Sequence, residues 1–153
     1  MLTYLLILFV IAIALAPLSH FIPSKRQRAI AGMREYAAVQ GLFVEFRQVP
    51  GREKGRMKVR DGAGRDTIYY GKRLPPAKHK CEQTRAWLYE NDTWTGLERR
   101  LPIPDALAHL PAQVFAASVD GGSCGIYWQE SGTVEDVEQI RQVLEAWSGQ
   151  LQE

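Results

Sequence analysis

No charged side chain occurs before Lys25, and no acidic one before Glu35. That excludes an ordinary amphipathic surface helix over the first ~24 residues, because such a helix carries polar groups along one face. Cysteine is scarce as well. Cys81 and Cys124 stand far apart without a Cys-x-x-Cys pair beside either, which excludes a disulfide-stapled scaffold and the usual paired-ligand zinc site. No Gly-Lys-Ser/Thr ending follows Gly62 and Gly64, so there is no phosphate loop. Internal repeats and low-complexity linkers are missing too. What is left after the apolar start is roughly 130 residues, enough for one domain with an ordinary core.

The apolar start is the clearest feature present. Leu2 to Leu18 departs from plain aliphatic or Phe side chains only at Thr3, Tyr4 and Pro17, and the run reaches Ile22 if Ser19 and His20 sit at an interface. A spanning helix needs about 20 such residues, so residues 1–23 are expected to form a transmembrane anchor. A cleaved signal peptide is the rival reading. It is disfavoured because no basic stretch precedes the run, and because Pro17 directly follows the small-residue pattern Ala14-Leu15-Ala16. Lys25, Arg26, Arg28 and Arg34 all lie on the C-terminal side. By the positive-inside rule that side stays in the cytoplasm, with the N-terminus periplasmic. Both cysteines are then expected as free thiols, and a Cys81–Cys124 disulfide only if the orientation is reversed.

Charge is divided along the chain. Ser24 to Lys80 holds 15 basic against 5 acidic residues, a balance of +10, whereas Cys81 to Glu153 holds 4 against 12, a balance of −8. Cations beside a bilayer gain up to ~1 kcal/mol each near an anionic leaflet. Lys25, Arg26, Arg28 and Arg34 are therefore the candidate membrane-surface-binding residues. The competing reading is that the two halves complement each other inside one fold.

Periodicity predicts α+β structure. A basic, membrane-proximal helix is expected over 24–41, with Ser24 as its cap, Ile30, Met33 and Ala37 on one face and Gly41 at its end. The domain at 42–153 is expected to hold about seven short antiparallel strands. They are Leu42–Arg47, one around Met57 and Val59, Thr67–Gly71, Thr84–Glu90, Thr93–Leu97, Val114–Val119 and Gly125–Gln129. Asp61–Gly64, Asn91-Asp92 and Asp120–Ser123 supply the turns. A brief helix is expected over Ile103–Leu110. The last helix starts on a Thr133/Asp136 capping box and buries Val137, Ile140, Leu144 and Trp147. The expected arrangement is a pleckstrin-homology-like partial barrel closed by that helix, with a flatter sheet carrying the helix on one face as the alternative.

Chemistry is sparse. His79 and Cys81 make one short metal-ligand pair, but Lys78 and Lys80 beside it repel a cation. Cys124 lies among small residues in Gly121–Gly125, yet a nucleophile needs a thiolate stabilised by a cation, base or helix N-terminus. Glu130, Glu135, Asp136 and Glu138 read as acids gathered at a helix start. The strand aromatics Tyr69, Tyr70, Trp87, Tyr89, Trp94, Tyr127 and Trp128 read mostly as core. No catalytic residue, metal site, cofactor or small-molecule substrate is expected, and nucleic acid is a poor fit for a bilayer-tethered chain.

At the anchor the chain resembles YajC, the small accessory subunit of the bacterial preprotein translocase. The resemblance rests on an N-terminal span, then Pro23, then Lys25-Arg26-Gln27-Arg28, then a short helix and strands, and covers about 40 of the 153 residues. It implies an inner-membrane accessory role. The functional expectation is a non-enzymatic single-pass inner-membrane protein whose cytoplasmic domain binds a partner protein or the anionic membrane surface. The alternative is a membrane-tethered enzyme using Cys124 or His109.

Overall fold

The computed structural model describes residues 1–17, 23–51, 67–76 and 84–152. The chain divides into two compact units, Met1–Ala31 and Gly32–Glu153.

In the first unit, α1 covers Leu2–Leu15 and buries none of its residues. Fourteen residues at 1.5 Å each extend about 21 Å, short of the ~30 Å hydrocarbon layer. Among the described residues, no helix is long and apolar enough to cross a membrane. The continuation at 18–22, on which the expected span of 1–23 depends, lies outside the described residues. Helix α2 (Lys25–Val39) begins in this unit and runs into the second. Its start is a reciprocal cap: the Gln27 N–H donates to Ser24 Oγ at 3.2 Å, and the Ser24 N–H donates to Gln27 Oε1 at 2.8 Å. Two of the helix's free N–H groups are thereby satisfied. Past its end Gly41 takes φ +79°, the left-handed conformation that lets the chain turn into the sheet.

The second unit is α+β: one antiparallel sheet of six strands with helices packed against it. The strands are β1 (Phe43–Glu45), β2 (Ile68–Arg73), β3 (Arg85–Glu90), β4 (Thr93–Gly96), β5 (Ala116–Val119) and β6 (Ser123–Trp128). Their spatial order is β1-β2-β6-β5-β3-β4, with every neighbouring pair antiparallel. This order is linear, with β1 and β4 at its two ends. The expected α+β class with one antiparallel sheet is present. Six of the expected strands are present. The seventh, around Met57 and Val59, lies outside the described residues, as does the turn at 61–64. The first strand is shorter than its sequence suggests: pairing stops at Glu45, and Phe46 is 78% exposed instead of facing the core.

Register assigns each side chain to a face, since directly paired residues point the same way. Tyr70, Ile126 and Ala117 share one face with Trp128, Cys124 and Trp87. Helix α3 (Val134–Gln150) covers it, burying Val137, Ile140, Val143, Leu144 and Trp147. The Trp87 and Trp147 rings meet edge-on at 5.5 Å, and the Cys124 thiol contacts the Leu144 carbonyl at 4.0 Å. The capping box holds: the Thr133 N–H donates to the Asp136 carboxylate at 2.8 Å. A 3-10 helix at Asp105–His109 packs beside α3 and buries Ala106 and Leu107.

The opposite face carries Tyr69, Tyr127, Ala116, Leu88 and the directly paired Gly71 and Gly125. Val49 joins Tyr69, Leu88, Ala116 and Tyr127 in one buried cluster. Gly51, at φ +85°, sits tightly against the Leu97 and Leu88 side chains. The segment leaving β1 therefore straps across this face toward the β3–β4 side.

Candidate functional site

Glu130 is the most constrained polar residue in the described structure. It follows β6, adopts φ +52° and is only 5% exposed. A non-glycine residue there sacrifices about 1 kcal/mol of backbone preference. Its carboxylate is fully engaged. Oε1 accepts from Arg34 Nε at 2.7 Å and from the Tyr70 hydroxyl at 2.8 Å, while Oε2 accepts from Arg34 Nη2 at 2.6 Å. The two-pronged guanidinium contact fits the planar geometry of both groups. Hydrogen bonding to Glu130 raises the Arg34 pKa, and burial followed by Glu130 raises that of Tyr70. Arg34 also lies 5.8 Å from the centre of the Phe46 ring, and the Tyr70 ring meets Trp128 edge-on at 5.3 Å. The Trp128 indole N–H is buried and has no hydrogen-bond partner among the described residues. Loss of the guanidinium would leave a buried carboxylate with one neutral donor. That is worth about 2–4 kcal/mol, toward the low end for buried pairs because the Arg34 side chain is 39% exposed.

A second clamp joins α2 to α3. The Tyr36 hydroxyl donates to Glu138 Oε2 at 2.8 Å, and Arg141 donates to both oxygens of the same carboxylate. Arg141 extends the chain of charges to Glu145, which also pairs with Lys72 at 3.4 Å.

The four candidate membrane-surface cations therefore separate. Lys25, Arg26 and Arg28 are exposed on the first turns of α2. Arg34 is spent on Glu130 inside the second unit. Sequence reasoning placed Glu130 with the helix-start acids, but of that group Asp136 does the capping while Glu130 and Glu138 hold arginines. No local pattern around Gln129-Glu130-Ser131 announces a partner nearly 100 residues earlier.

On the strap face, Arg47 lies 4.2 Å from the centre of the Tyr69 ring. It donates to Glu45 at 2.9 Å and to Asp120 at 3.0 Å. Asp120 Oδ1 also accepts the N–H groups of Gly122 and Ser123 at 2.9 and 2.7 Å, which shapes the β5–β6 turn. Burial works to raise the Asp120 pKa, but those N–H groups, the Ser123 hydroxyl and Arg47 outweigh it and hold it below the usual range. The Ser123 hydroxyl is buried and shared among Asp120, Arg47 and Tyr69. It is a structural link between strap and sheet.

Cys124 and His109, named for the enzymatic alternative, sit in different settings. Cys124 is buried in β6, where burial above all pushes its thiol up to about 12, so the nucleophilic thiolate is scarce at neutral pH. His109 is exposed at the end of the 3-10 helix, and its carbonyl accepts from Gln139 at 2.8 Å. It borders an open cleft of about 370 Å³, lined by Ala106, Gln139, Gln142, Val143 and Ala146 as well. Among the described residues, no three His, Cys, Asp or Glu side chains gather as a metal site. His79 and Cys81 lie outside the described residues. No protein-family model, curated protein or solved structure matches the chain.

Proposed function

We propose that this is a single-pass inner-membrane accessory or scaffold protein. Its N-terminal apolar segment is the anchor, and its α+β domain lies on the cytoplasmic side, where it meets a partner protein or the anionic lipid surface. The observation that carries this reading is α1, whose Leu, Ile, Val, Phe and Ala side chains are all exposed. A continuous apolar helix surface of this size is unstable in water and calls for a hydrocarbon or protein environment. The cations just beyond the apolar run favour the cytoplasmic side for everything that follows. Lys25, Arg26 and Arg28 are free to meet lipid headgroups, whereas Arg34 contributes through its hold on Glu130. The YajC-like start supports the same accessory role.

Two measurements test the proposal. The full chain should float with vesicles at any salt concentration. A chain lacking residues 2–17 should keep at most a weak, salt-sensitive attachment to anionic vesicles, lost when Lys25, Arg26 and Arg28 become Gln. A full chain that stays with the soluble fraction would sink the anchor. A reporter fused after Glu153 should be active only as a cytoplasmic fusion, and activity of a periplasm-dependent reporter there would reverse the orientation.

A further inference from the structure

We infer that the Arg34–Glu130 pair is a releasable latch: residues 32–39 of α2 undock from the sheet as a unit when it opens, while the sheet and α3 stay folded. Among the described residues, little else holds that segment. Of its side chains only Met33 and Ala37 are buried, and one of these is a single methyl group. The Tyr36 hydroxyl adds one half-buried hydrogen bond to Glu138. Among the described contacts, the bidentate Arg34–Glu130 pair is the dominant attachment.

The backbone at Glu130 is itself under strain. Its φ of +52° favours glycine, so the side chain must compensate for its own unfavourable conformation. Every described partner of its carboxylate is Arg34 or Tyr70. Tyr70 is already fixed in β2, between its neighbours in the sheet and the Trp128 ring. What remains for the carboxylate to do is hold α2. The rest of the unit has a closure of its own: α3 packs on the 3-10 helix, β2 and β6, and Ile126, Leu107, Ile140, Leu144 and Trp147 are buried on those elements.

The latch works independently of where α1 resides, so it stands or falls apart from the membrane reading. Hydrogen exchange of the full chain in neutral detergent tests it, with Glu130→Gln, Arg34→Met and, as control, Tyr36→Phe. In both latch variants, amide exchange over 33–39 should accelerate by roughly tenfold to a hundredfold. Peptides from β2, β5, β6 and α3 should exchange as in the parent, and thermal unfolding should remain cooperative. Tyr36→Phe should change exchange over 33–39 by less than about threefold. Unaltered exchange over 33–39 would overturn the latch. So would acceleration spread equally through β6 and α3, or failure of both latch variants to fold, because the pair would then be part of the common core.

Discussion

On the helix face of the sheet, Trp87, Ile126 and Trp128 lie beneath α3, and large side chains on both sides fill the space. On the strap face the sheet offers glycine at two directly paired positions, Gly71 and Gly125, and the Tyr69 ring lies across both. What covers it is irregular chain, pinned by Val49 and by the ion pairs of Arg47. The first face is stabilised by apolar area removed from water. The second depends on close approach, with an aromatic ring filling the volume that glycine leaves empty. Cavity-forming and space-filling substitutions should therefore hurt on opposite faces.

The largest effect belongs to the helix face. Trp147 is 1% exposed, so Trp147→Ala removes an aromatic pair and opens a cavity against Trp87. It should destabilise by about 3–5 kcal/mol, and Leu144→Ala by about 2–5 kcal/mol. Glu145→Ala, on the exposed side of the same helix, should change stability by less than about 1 kcal/mol. Urea unfolding midpoints compare the three. Equal, small effects would mean that α3 does not close this core.

This face was the legible one. The 3.6-residue spacing of Val137, Ile140, Leu144 and Trp147 and the Thr133/Asp136 cap are local signals, and both appear in the structure as read. The turns at Asn91-Asp92 and Asp120–Ser123 were legible for the same reason. The left-handed backbone at Asn91 and Asp92 suits those residue types. Strand order was not legible, because β2 pairs with β6 and β3 with β5 across long separations that no local pattern encodes. Glu130 was misread for a related reason. Its acid neighbours in sequence suggested a helix cap, while its partner Arg34 is fixed only by the tertiary fold.

The strap face should fail in the opposite way, when atoms are added. A Cβ at Gly125 would overlap the Tyr69 ring and the Tyr70 carbonyl oxygen. Neither can move freely, since the Tyr69 hydroxyl bonds Ser123 at 3.1 Å and the carbonyl belongs to the neighbouring strand. Gly125→Ala should therefore destabilise by about 1–3 kcal/mol despite adding apolar surface. It should also loosen the Arg47–Tyr69 contact, seen as faster exchange around 47–49. A neutral or stabilising Gly125→Ala would remove the distinction between the faces.

The smallest expected effect lies outside both faces, on the clamp between α2 and α3. Hydrogen bonds from Arg141, then from Tyr36 and Gln142, hold the Glu138 carboxyl at about 2, against its ordinary 4.5. A carboxyl whose pKa is depressed by folding stabilises the folded state at pH values above the unfolded pKa, and loses that contribution as pH falls through the folded one. The clamp should therefore be complete above about pH 4.5 and weaken steadily toward pH 2. Because Glu138 is on the surface, salt and solvent screen the interaction, and the resulting change in overall stability is small. Carbon-detected NMR titration of the Glu138 carboxyl gives the direct reading, with a midpoint near 2 in the parent. Arg141→Met should move that midpoint up toward 4.5, whereas Tyr36→Phe should move it by less, since Arg141 is the stronger donor. A parent midpoint near 4.5 would show that the clamp does not form in solution. Among the described residues, the docking of α2 would then rest on Arg34, Met33 and Ala37.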